Sequence, residues 1–166
     1  MTLRSSVQVA NRAPAKAPRD SNGTITLISE FTTVAGQFAQ GDIIEMCALP
    51  AETIPVRALL VCDQIDSNGT PTGKLDIGIM SGSYLASTNS DGTARTCGTE
   101  FASADTTCRA GGVASVQGKT AMQLTPTNVD RSIGIVVNTA MATLVAGAKI
   151  RLIVECAPRP LGMFDS

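Results

Sequence analysis

The chain has 166 residues, a net charge of −1 at pH 7, 43% apolar residues, and neither histidine nor tryptophan. That length buries a real core as a single domain, while near-neutrality leaves no large field to draw in nucleic acid or an anionic membrane. Without histidine there is no Ser-His-Asp triad, no Cys-His dyad and no His-ligated metal site.

The leader, residues 1–22, stands apart. Ala13-Pro14-Ala15-Lys16-Ala17-Pro18 cannot hold a helix, because each proline drives the residue before it out of the α region. Arg4, Arg12, Lys16 and Arg19 face a single acid, Asp20. The leader reads either as a solvated tail or as an extended basic arm that orders on a neighbouring protein with an acidic surface. It lacks the apolar middle of a secretory signal, so synthesis is expected in the cytoplasm.

From Gly23 the pattern becomes that of short strands. Ile25 and Leu27 alternate with Thr24 and Thr26. The stretch from Gly41 to Met80 predicts three strands, Asp42–Leu49, Val56–Ile65 and Lys74–Met80. The compact reversal Pro50–Pro55 and the turn cluster Asp66-Ser67-Asn68-Gly69-Thr70-Pro71-Thr72-Gly73 separate them. Gly78, on the outer face of the third strand, would admit a second backbone at close range. Residues 81–118 look irregular, a contact loop with a short helix over Thr99–Cys108. Ala121–Thr125 is a short strand candidate. Arg131–Asn138 and Lys149–Cys156 alternate cleanly and are expected to pair antiparallel, with Ala157-Pro158-Arg159-Pro160 ending the pairing.

Roughly six or seven strands of period two describe an all-β antiparallel β-sandwich, with a jelly roll as the expected topology. The domain covers 23–157, between the basic arm 1–22 and a C-terminal tail 158–166.

The chemistry-bearing patterns are few. Cysteines stand at 47, 62, 97, 108 and 156, without a C-x-x-C pair; three lie in apolar runs, and Cys97 and Cys108 form the one plausible bridge. Asp66-Ser67-Asn68-Gly69 has the look of a calcium loop, but Leu75 stands where the bidentate acid is required, so an Asx-type turn is the better reading. No phosphate-binding glycine motif is present. The chain therefore offers no catalytic, cofactor-binding or metal-ligating residues to name.

The run GDIIEMCALPAETIPVRALLVCDQIDSNGTPTGKLDIGIM and the later RSIGIVVNTAMATLVAGAKIRLIVEC resemble small head proteins of tailed bacteriophages, the capsid decoration (cement) proteins and related virion structural proteins. Gly41-Asp42 opening a strand, Leu49-Pro50-Ala51, Val61-Cys62-Asp63 and Gly147-Ala148-Lys149-Ile150-Arg151-Leu152 carry the likeness. The resemblance implies a virion protein on the outer surface of the head. It would bind the major capsid protein, associate with itself as a homotrimer, and need no cofactor, nucleic acid or membrane. Arg4, Arg12, Lys16, Arg19, Tyr84, Phe101 and Phe164 are the candidate contact residues on the arm, loop and tail. The competing readings are a neck, collar or tail-associated β domain and a carbohydrate-binding module using Tyr84, Phe31, Phe38, Phe101 and Phe164.

Overall fold

Leu27, Ser29 and Phe31 turn inward along strand β2 (Ile25–Thr32), while Thr26, Ile28 and Thr32 turn out, the alternation that a sheet with one buried face imposes. The computed structural model describes residues 3–5, 23–36 and 38–158. It contains β1 (Leu3–Ser5), β2, β3 (Ile43–Leu49), β4 (Thr53–Cys62), β5 (Lys74–Met80), β6 (Ala102–Asp105), β7 (Gly112–Ser115), β8 (Arg131–Thr139) and β9 (Lys149–Pro158). A 3-10 turn (Thr107–Arg109) and a one-turn helix α1 (Lys119–Met122) complete the elements.

The described residues form two sheets, ordered β1-β3-β8-β5-β6 and β2-β9-β4-β7. Apart from the parallel β1–β3 contact, every pairing is antiparallel. The pairs β2–β9, β3–β8, β4–β7 and β5–β6 are nested, so the chain behaves as one long hairpin, doubled back after β5 and rolled up. That is jelly-roll connectivity, and the all-β antiparallel sandwich expected from the sequence is what forms.

The core lies between the sheets. Leu60, Ile150, Leu152 and Val154 project from one side, and Ile44, Leu75, Ile77, Ile133 and Ile135 from the other. Phe31 and Phe38 close one end with ring centroids 5.8 Å apart; Phe38 sits at φ 80°, and its burial holds that unfavourable backbone in place. In β4 the register slips between Pro55 and Arg57, and the inward phase changes there. Proline is tolerated because β7 reaches only Leu59–Cys62, leaving the Pro55 side of the strand unpaired.

Several local expectations change. β8 and β9 do not pair with each other; they lie in opposite sheets, each at the centre of its own, and the connection between them crosses the sandwich. Pairing of β9 runs on to Pro158, opposite Thr53. Residues 99–108 contain β6 and the 3-10 turn rather than a continuous helix, and 121–125 begins inside α1 rather than in a strand. The stretch 81–118 thus supplies both β6 and β7. Apart from Asp105 these strands are made of Ala, Ser, Gly and Val, and the neighbouring edges of β5 and β4 organise them: Asp76 Oδ1 accepts the Ala104 N–H at 2.6 Å.

Candidate functional site

The two outer faces of the sandwich differ. On the β1-β3-β8-β5-β6 sheet the outward positions include Glu45, Ala48, Ser132, Gly134, Gly78 and Met80, in register across three strands. Residues 81–101 fold over them. Gly98 N donates to Ile79 O at 2.9 Å, Phe101 N to Ile77 O at 3.0 Å, and Ile79 N to Glu100 Oε2 at 2.8 Å. A Cβ on Gly78 would collide with the Gly98 backbone. The close approach read from Gly78 is therefore made, by the chain's own loop.

Arg95 fastens that loop. Its Nη1 lies 2.9 Å from Glu45 Oε1 and 2.9 Å from Ala86 O, Nη2 donates to Ser132 Oγ at 3.0 Å, and Nε donates to Ser81 O at 2.7 Å. The Ser132 hydroxyl donates in turn to Glu45. Both charged side chains are removed from solvent, 1% and 2% exposed. Burial of an ion pair is tolerated when further hydrogen bonds support it, and here Ser81, Ala86 and Ser132 accept from Arg95 beside Glu45.

Asp66 makes a second clamp. Oδ2 accepts the N–H groups of Thr72 (2.8 Å), Gly73 (3.0 Å) and Ala142 (3.0 Å), and Oδ1 accepts Thr143 N at 2.9 Å. Burial raises its pKa, but the backbone donors outweigh that and hold the carboxyl well below the usual range. Asn68 Oδ1 accepts Thr70 N at 2.9 Å, an Asx turn. The string that looked like a calcium loop is a carboxylate saturated by backbone donors. Among the described residues no group of three or more Cys, Asp or Glu could hold a metal, and no helix is long and apolar enough to cross a membrane.

The contact candidates fall in different places. Arg4 lies in β1, opposite Ile44; Arg12, Lys16, Arg19 and Phe164 lie outside the described residues. Tyr84 sits half-buried in the covering loop, its hydroxyl enclosed without a hydrogen-bond partner. Burial, and next the nearby Glu45, push its pKa up. Leu85 beside it is 40% exposed at φ 63°. Phe101 must be withdrawn as a contact residue: it is buried in the core, because its N–H is tied to β5.

The Cys97–Cys108 bridge is also withdrawn. Both thiols are free: Cys97 Sγ lies 3.7 Å from Gly78 O, whereas Cys108 Sγ packs beside Gly73. Gly73 immediately precedes β5 and Gly78 lies within it, roughly 17 Å apart at ~3.4 Å per residue of extended chain, and a disulfide needs Cα atoms within ~7 Å. Burial pushes Cys47, Cys62, Cys97 and Cys156 up to about 12, and Cys108 up to about 11. Protonated thiols of this kind are poor nucleophiles and poor metal ligands.

No protein-family model and no curated protein matches the chain. Among solved structures, a chain from the capsid of Ralstonia phage GP4 is similar at 31% identity and a TM-score of 0.86. The match covers 96% of this chain and 99% of that one. This chain belongs to that bacteriophage capsid-protein family. A chain of the cyanophage Pam1 capsid asymmetric unit is also similar, at 25% identity and a TM-score of 0.59, over 90% and 96% of the two chains. The capsid protein is accordingly a virion structural component. Its buried Glu45–Arg95 pair and Asp66 clamp hold a shape, with both carboxylates already committed to protein donors.

Proposed function

We propose that this capsid protein is a decoration, or cement, protein. It binds the outside of the assembled phage head, contacts the major capsid protein, and opposes separation of neighbouring shell subunits when packaged DNA presses outward. Three copies gather as a homotrimer at a local symmetry axis on the head, so several modest contacts engage at once; linkage of this kind raises effective affinity by ~10²–10⁴. The basic arm 1–22 and the covering loop around Tyr84 and Leu85 supply contacts to the shell or to sister subunits.

The observation that carries this reading is the co-extensive match to the Ralstonia phage GP4 capsid chain, 96% of one against 99% of the other. The likeness is to a whole small capsid chain, not to a domain inside a larger shell-forming subunit. A preformed sandwich that works through surface area also accords with carboxylates and thiols consumed by internal structure.

Cryo-microscopy of virions, with copies counted by quantitative mass spectrometry, tests the proposal. Density for many copies on the outer head, and particles that burst at lower temperature when the protein is removed, are expected. A few copies confined to the neck or tail, or unchanged heat and osmotic resistance without the protein, would overturn it.

A further inference from the structure

The other outer face, that of β2-β9-β4-β7, has nothing lying on it among the described residues. Its register defines successive rungs: Thr26–Glu155–Arg57, then Ile28–Ile153–Leu59–Ser115, then Glu30–Arg151–Val61–Val113. Ile28 is 48% and Val113 67% exposed, and Ile153, Leu59 and Val61 are half-buried between them. The centre of the face is apolar. Charge is confined to its ends, in the Arg57–Glu155 pair and in Glu30 with Lys149 and Arg151. An apolar centre inside a polar rim is how contact surfaces are built.

We propose that this face binds a second copy of the same chain about a two-fold axis lying along the Ile28–Ile153–Leu59 rung. The arrangement of charge argues for a copy of itself. Along β9, Arg151 and Glu155 stand two residues to either side of Ile153, all three facing outward. Turning one copy over about that rung brings each Arg151 opposite the Glu155 of its mate, twice, while the apolar rung meets its own image. A two-fold interface requires such self-complementarity; an unrelated partner does not.

Area sets the strength. Four strands ~4.8 Å apart over about six residue steps of ~3.4 Å give roughly 400 Å² of projected face per copy. The pair would then bury about 800 Å², at the weak, transient end of specific interfaces. The contact is therefore one that forms where copies are already crowded, as neighbours on a particle surface, and it does not depend on the head-binding role being correct.

The test uses the purified full chain without heads. Sedimentation equilibrium should show a monomer–dimer equilibrium with Kd on the order of 100 µM. Arg151→Glu and Glu155→Arg, each alone, set like charges opposite one another across the axis and should weaken self-association at least ~10-fold. Mixing the two variants in equal amounts restores both opposite-charge meetings and should return dimer formation to the wild-type level. Circular dichroism and melting confirm that each variant is folded. If Arg151→Glu does not fold, Ile153→Lys with Ile28→Ser as the milder change serves instead, and both should abolish the dimer. A wild-type chain that stays monomeric to ~1 mM, or a mixture no tighter than its components, would overturn the proposal. So would variants that associate normally. Loss of head binding without any change in self-association would assign the face to the shell instead.

Discussion

Arg95 and Glu45 stand 50 residues apart in the chain, yet Nη1 and Oε1 meet at 2.9 Å beneath a loop that excludes solvent from both. The pair joins the turn between β5 and β6 to strand β3, and through Ser132 to β8. It keeps residues 81–101 lying flat on the sheet as a shaped surface.

Removing one partner should therefore cost far more than removing both. Arg95→Ala leaves the Glu45 carboxylate buried without its cation, and a loss of about 3–5 kcal/mol is expected. Arg95→Met combined with Glu45→Leu and Ser132→Ala replaces the pair with apolar volume and should recover most of that loss. Urea unfolding of the variants checks this. A triple substitution no more stable than Arg95→Ala would show that the loop depends on the charges themselves.

Acid sensitivity should trace largely to Asp66. Its folded pKa lies below its unfolded value near ~3.9, so its stabilisation is complete above that value and disappears as pH falls through the folded pKa. Asp66→Asn leaves backbone donors short of an acceptor and should cost about 2–4 kcal/mol at pH 7, with a flatter pH dependence below pH ~4. Urea midpoints at pH 7, 5 and 3 measure both effects. Parallel acid limbs for variant and wild type would mean that Asp66 titrates alike in the folded and unfolded chain.

How much of this was legible in the sequence follows from how locally each feature is determined. Lys74–Met80 is bounded as the alternation of Leu75, Ile77 and Ile79 suggests, and β3, β8 and β9 lie within a residue or two of their apolar runs. The pairing of β8 and β9 was not legible, because alternation marks a buried face without saying which sheet the strand joins. β6 and β7 carry almost no strand propensity and form on edges supplied from far along the chain. Arg95 sits in a polar loop and looks solvated. No local pattern announces that Glu45, on an apolar strand, awaits it; a lone acid within IIEMCAL was the available hint. Asp66 reads as a turn residue, and its reach to Thr143, 77 positions on, is tertiary.

Gly78 offers a sharp steric test. A methyl group there would enter the Gly98 backbone, which hydrogen bonds to β5 prevent from retreating. Gly78→Ala should destabilise by about 1–3 kcal/mol, the usual penalty for overpacking. Gly69→Ala, with open space around its Cβ position, serves as the control and should change stability by no more than ~1 kcal/mol. Thermal melts compare the two; equal effects would mean that the loop lifts freely from the sheet.

Removing residues 1–22 separates folding from binding. β1 contributes three residues in a parallel ladder at the β3 edge, and β3 keeps its full antiparallel pairing with β8 without it. Two or three hydrogen bonds at ~0.5–1.5 kcal/mol each limit the loss of stability to about 1–4 kcal/mol. The truncated protein should stay folded by circular dichroism. If the arm carries shell or sister-subunit contacts, its occupancy on heads lacking the protein should fall at least tenfold in a sedimentation binding assay, most clearly at low salt, where Arg4, Arg12, Lys16 and Arg19 act least screened. Full occupancy by the truncated chain would remove the arm from the binding surface and leave the face around Tyr84 and Leu85 to account for attachment.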